Sequence, residues 1–169
     1  MKKILFTITL SCLTIISFAQ KKNKYAKDIK VSTDKFDGNT TWKSPSFGKG
    51  IAATTAEPVQ FIKVKENNTI TTYLSLTTHG STLNMGKQGV IVLFTDGDKI
   101  EFPNAEIDTE VGPSSFWKYS AFVKINNEEL NKFIDKDLDD FRLYIYNSYI
   151  SKKKKKKIRG WAQAIKEVN

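Results

Sequence analysis

The stretch VQFIKVKENNTITTYLSLT, residues 59–77, decides the fold class. Two runs rich in β-branched and aromatic residues, Val59 to Lys65 and Thr69 to Thr77, flank Glu66-Asn67-Asn68. Asparagine tolerates the left-handed backbone of a tight hairpin, so the segment predicts two antiparallel strands. In the second run Ile70, Leu74 and Leu76 share one face, and Thr71, Tyr73 and Ser75 share the other.

The same pattern extends both ways. Upstream, Lys30 to Phe36 and Thr40 to Lys43 flank the turn Asp37-Gly38-Asn39, and Ser44 to Pro58 reads as loop with one short strand. Downstream, His79 to Gly89 carries three glycines and reads as a loop. Val90 to Phe94 is unbroken and apolar, which predicts a central strand buried on both faces. Asp96-Gly97-Asp98 turns it into Lys99 to Phe102. Ala105 to Val111 alternates, with Glu106, Asp108 and Glu110 on the wet side. Phe116 to Ile125 sets Trp117, Tyr119, Ala121, Val123 and Ile125 on one face. Asn127 to Ile134 predicts one or two helical turns capped by Asn126 or Asn127, with Leu130, Phe133 and Ile134 together. Phe141 to Tyr146 predicts a last strand, with Phe141, Leu143 and Ile145 opposite Arg142, Tyr144 and Tyr146. About eight strands joined by short turns predict an all-β, mainly antiparallel domain over 31–150, built as a two-sheet β-sandwich.

Residues 151–169 differ in kind. Ile158, Trp161, Ala162, Ile165 and Val168 recur at helical spacing behind Lys152, Lys153, Lys154, Lys155, Lys156 and Lys157, with Ser151 at the N-cap. The first nineteen residues read as a cleavable signal peptide: Lys2 and Lys3, an apolar run from Ile4, then Ser17-Phe18-Ala19 before Gln20. The run is short for a bilayer span, and it continues beyond Cys12, which argues against lipid on that cysteine. The expectation is an exported protein, periplasmic or secreted after cleavage near Ala19. Cleavage leaves about 150 residues, the size of one domain. It also removes the single cysteine, and with it disulfides and thiol chemistry.

Charge sits at the two ends. The stretch 20–30, read as a flexible leader, carries +4, and 151–169 carries +7, around a body of −4 over 31–150. A nucleic-acid-binding domain spreads its basic residues over one folded face, so no nucleic-acid partner is expected. Catalytic groups are sparse. His79 is the only histidine, which excludes a multi-histidine zinc site and leaves a serine triad with Ser75 or Ser81 resting on one loop residue. Glu101, Glu106, Asp108 and Glu110 could serve a carboxylate-based hydrolase, but three of them fall where a wet strand face carries charge anyway. Asp135 to Asp140 begins like a calcium loop, yet positions six and twelve hold Asp140 and Tyr146 instead of Gly and Glu. No cofactor or metal is expected, and the chain reads as non-catalytic.

Two surfaces remain as binding candidates. Tyr73, Phe122, Tyr144 and Tyr146 lie opposite the main apolar sets and could meet a protein or glycan of the cell envelope. Lys152 to Lys157, with Arg159 and Trp161, could rest on an anionic membrane, Trp161 at the headgroup level. The competing expectation is that this helix packs on the sheet over Tyr144 and Tyr146.

The signal ending Ser17-Phe18-Ala19-Gln20, the opening Phe36-Asp37-Gly38-Asn39-Thr40-Thr41-Trp42, the stretch Tyr73-Leu74-Ser75-Leu76 to Gly80-Ser81-Thr82-Leu83-Asn84 and the closing Phe141 to Tyr146 together resemble short exported proteins of Bacteroidota. The resemblance covers most of the mature chain. It implies an exported β-sandwich and carries over no catalytic residue.

Overall fold

The computed structural model describes residues 23–45, 58–112 and 116–168. The signal segment, with Cys12, and most of the 44–58 loop lie outside the described residues. Among those described are nine strands: β1 (Lys30–Thr33), β2 (Thr40–Lys43), β3 (Val59–Glu66), β4 (Thr69–Gly80), β5 (Gln88–Phe94), β6 (Lys99–Val111), β7 (Trp117–Ile125), β8 (Leu138–Leu143) and β9 (Tyr146–Tyr149). Two helices, α1 (Asn127–Asp135) and α2 (Lys152–Glu167), and a 3-10 turn at Ala26–Asp28 accompany them.

The β3–β4 hairpin forms as its sequence predicts. Glu66 pairs with Thr69, and Asn67 and Asn68 both take positive φ, 44° and 68°, the two-residue turn that suits the strand twist. Every neighbouring pair is antiparallel, in the order β1-β2-β3-β4-β7-β6-β5-β8-β9. The all-β, antiparallel expectation therefore holds, but the two-sheet sandwich does not: the strands form one continuous sheet.

The reason is β6. Its first half pairs with β5, from Lys99 to Phe102, and its second half with β7, from Ile107 to Val111. Between them the register slips, so that Gln88 and Val90 of β5 face Glu106 and Phe102. Pro103, which has no N–H to give a ladder, falls in this bulge. The slip also exchanges the faces. Ile100 and Phe102 point inward before it, Ile107 and Thr109 after it. One strand thus serves both halves of the sheet while its apolar residues stay in one core. The two segments 99–102 and 105–111 are one strand, not two.

The halves fold toward each other, and a single cluster fills the space between them, including Leu74, Leu76, Tyr119 and Ala121 from one and Val90, Val92, Phe141 and Leu143 from the other. β5 alternates: Val90, Val92 and Phe94 are buried, whereas Ile91 and Leu93 are half-buried. The predicted burial on both faces is thereby corrected to one. Helix α1 closes the core. Asn126 is its N-cap, in a reciprocal capping box with Glu129, and Phe133 wedges edge-on between Phe61 of β3 and Phe94 of β5, 5.3 Å from each.

Helix α2 packs against α1, β3, β8 and the 3-10 turn, burying Ile158, Trp161, Ala162 and Ile165. Lys63 is turned inward from β3 and buried. Its ammonium donates to the carbonyls of Ile165, Lys166 and Val168 at 3.3, 3.4 and 2.5 Å, capping the negative end of α2. Residues 23–28, within the 20–30 stretch read as a leader, lie against α2. Asn23 Nδ2 donates to the Gly160 carbonyl at 2.8 Å, and Trp161 Nε1 donates to Asp28 at 3.0 Å. The Tyr25 ring lies so close to Gly160 that a Cβ there would sit 1.9 Å from its Cδ2.

Candidate functional site

On the outer face of β3, β4 and β7 the registers build a row. Lys43 faces Ile62, Ile62 faces Tyr73, and Tyr73 faces Lys124. Phe122 stands opposite Ser75, diagonal to Tyr73, and the two rings stack with centroids 4.6 Å apart and planes 16° apart. Phe122 keeps 54% of its surface exposed despite the stack. The result is an apolar ridge of Ile62, Tyr73 and Phe122 between two lysines. One face of each ring is covered by the other, so the ridge offers ring edges and outer faces.

Tyr144 and Tyr146 do not join this ridge. The predicted strand 141–146 ends at Leu143, and Tyr144-Ile145 form a two-residue turn into β9, with Tyr144 at φ 56°. Ile145 is exposed, and not on the buried face of Leu143. Lys87 Nζ lies 5.3 Å from the Tyr144 ring centroid. Tyr146 stacks on Tyr119 at 4.5 Å and covers Gly80 so closely that a Cβ there would lie 2.4 Å from the ring. Both hydroxyls donate to the Thr82 carbonyl, Tyr146 at 2.8 Å. Asn84 N donates to the Tyr119 hydroxyl at 3.0 Å, and its Nδ2 to that of Tyr146 at 2.7 Å. This pair is a clamp that fixes the 81–87 loop.

Burial, then the Tyr146 hydroxyl, raises the Tyr119 phenol above its ordinary 10.0. The folded chain favours the neutral phenol, so stability is flat below that value and falls as pH rises above it. Tyr119→Phe is expected to cost about 1–2 kcal/mol at neutral pH through the lost loop bonds, and to flatten the alkaline fall. Urea unfolding at pH 8 and pH 10.5 checks both.

Helix α2 docks on the sheet, but beside α1 and not over Tyr144 and Tyr146. Trp161 is 2% exposed with its indole N–H satisfied, so Tyr25, not Trp161, is the aromatic beside the exposed lysines. Lys155 is likewise buried, 2.5 Å from Asp139, whose hydrogen bond raises its pKa. Arg159 donates to the Ile134 carbonyl at 3.0 Å and pairs with Asp137 at 3.3 Å. Asp137 and Asp139 of the acidic run thus serve as counter-charges to α2. Lys152, Lys153 and Lys156 are exposed, Lys154 and Lys157 half-buried.

His79 is exposed at the far end of β4, opposite Lys118. Burial and Lys118 lower its pKa. Ser75 shares its strand face about 13 Å away, four residues at the strand rise, beyond reach of a nucleophile–base bond. Glu106 and Asp108 flank a groove of about 390 Å³ beside Met85 and Gly86. They project in parallel from one strand, whereas a glycosidase acid and its partner act from opposite sides of the scissile bond. Among the described residues no group of three or more His, Cys, Asp or Glu is placed to hold a metal ion, and no helix is long and apolar enough to cross a membrane. No protein-family model, curated protein or solved structure matches the chain.

Proposed function

We propose that this is an exported, non-catalytic protein that binds a protein partner of the cell envelope through the Tyr73–Phe122 ridge. The observation that carries the reading is a large aromatic pair left half open on a sheet face, with lysines at both ends. Rings of this kind, flanked by charge, anchor protein interfaces. A glycan partner is less well served, because sugars stack on open ring faces and each ring here already covers one face of the other.

Replacing both rings, Tyr73→Ser with Phe122→Ser, separates binding from folding. A surface aromatic pair contributes about 0.5–1.5 kcal/mol to stability, so the thermal midpoint is expected to fall by a few degrees while partner capture is abolished. Capture equal to the parent chain's at a fully folded temperature sinks the reading. Loss of binding to a purified envelope glycan instead of a protein would move the site to the glycan class.

A further inference from the structure

Residues 23–28 and helix α2 are far apart in sequence and lie side by side in the fold. Asn23 bonds the Gly160 carbonyl, Asp28 bonds Trp161, and the Tyr25 ring rests against Gly160. These contacts lay residues 23–28 along α2. The ring of Tyr25 and the side chains of Lys152, Lys153, Lys156 and Lys157 then line one groove of about 500 Å³, with no carboxylate in its lining. Lys24 sits over the Tyr25 ring at 5.0 Å and is exposed, as is Lys27. Three carboxylates meet these two segments outside the groove: Asp28 accepts from Trp161, Asp139 pairs with Lys155 and Asp137 with Arg159. The body between the two ends carries −4, so positive charge is concentrated here against the rest of the molecule.

From this we infer that residues 24–27 and the first two turns of α2 form a composite cationic surface that docks on a phospholipid bilayer bearing anionic headgroups. Charge complementarity names the headgroups. The apolar groove names the bilayer. Lysine stems and a tyrosine ring suit the boundary between phosphates and acyl chains, with ammonium groups held at the phosphates. A soluble polyanion would satisfy the lysines and leave the Tyr25 groove unused. The surface lies apart from the Tyr73–Phe122 ridge, and its test does not depend on that ridge.

The experiment is vesicle co-sedimentation of the chain from Gln20 onward, using phosphatidylcholine alone or mixed with phosphatidylglycerol. Binding is expected to the mixed vesicles only, and to weaken with salt. Each lysine near an anionic surface is worth about fivefold in partition. Lys152→Gln with Lys153→Gln should therefore lower binding about 25-fold, and Lys24→Gln with Lys27→Gln by a similar factor. All four side chains are exposed, so an unchanged thermal midpoint confirms that each variant folds. If the second pair leaves binding unchanged while the first abolishes it, the ends act separately and the composite surface is wrong. Binding to neither vesicle overturns the proposal outright. So does binding to dextran sulfate beads as strong as to mixed vesicles with no effect of Tyr25→Ser, which marks a polyanion site instead.

Discussion

Phe133→Ala is expected to cost about 3–5 kcal/mol, the range for truncating a fully buried aromatic. The upper end is favoured here. Phe133 is 0% exposed and meets both Phe61 and Phe94 edge-on, so its loss opens a cavity where three elements meet. Phe61 belongs to one half of the folded sheet and Phe94 to the other. Neither can follow the vacated volume without pulling its strand, and β6 ties the two halves together. Native stability is typically 5–15 kcal/mol, so one substitution removes a large share. Urea denaturation, reading the midpoint and slope separately, checks it. Phe133→Leu, which keeps most of the volume, should recover more than half of the loss.

The second large effect is one of sign. Glycine inside a helix costs about 1 kcal/mol relative to alanine, so Gly160→Ala in the middle of α2 would ordinarily stabilise the protein. Here the new Cβ would fall 1.9 Å from the Tyr25 ring, and the ring must leave. With it go the packing of Tyr25 on α2 and, through the displaced segment, the bonds from Asn23 to Gly160 and from Trp161 to Asp28. The net expectation is a loss of about 1–2 kcal/mol, the lost contacts outweighing the propensity gain. In a Tyr25→Ala background the same substitution should stabilise by up to about 1 kcal/mol. A double-mutant cycle measures the difference as a coupling of about 2–3 kcal/mol. Additive values would mean that residues 23–28 do not dock as described.

These two sites mark where sequence reasoning reached and where it stopped. The alternation of Trp117, Tyr119, Ala121, Val123 and Ile125 set the inner face of β7 correctly, because one face is buried and the other wet. The helical spacing of Ile158, Trp161, Ala162 and Ile165 likewise fixed the buried side of α2. Lys63 was illegible. In Val59-Gln60-Phe61-Ile62-Lys63-Val64, apolar residues occupy both parities, and only the carbonyls of α2, about a hundred residues on, decide that a lysine points inward. The docking of Tyr25 was hidden for the same reason: a polar, aperiodic segment gives no local signal, and its partner is a glycine. Lys99 to Phe102 and Ala105 to Val111 read as separate strands, and the residues between them instead form a bulge inside β6. The β8–β9 turn uses Tyr144 and Ile145, neither a turn-forming residue, so it read as strand. Tyr73 and Phe122 were each legible as outward aromatics. Their stacking depends on β4 pairing with β7, a non-consecutive pairing that no local pattern encodes.

The central functional claim is that Phe122 meets a partner in the cell. A photo-activatable phenylalanine analogue at position 122 tests it most directly, with the same analogue at the equally exposed Ile145 as control. The account predicts one discrete adduct at 122, absent at 145 and lost when Tyr73 is replaced by Ser. No adduct at 122, or an identical adduct at both positions, would contradict it.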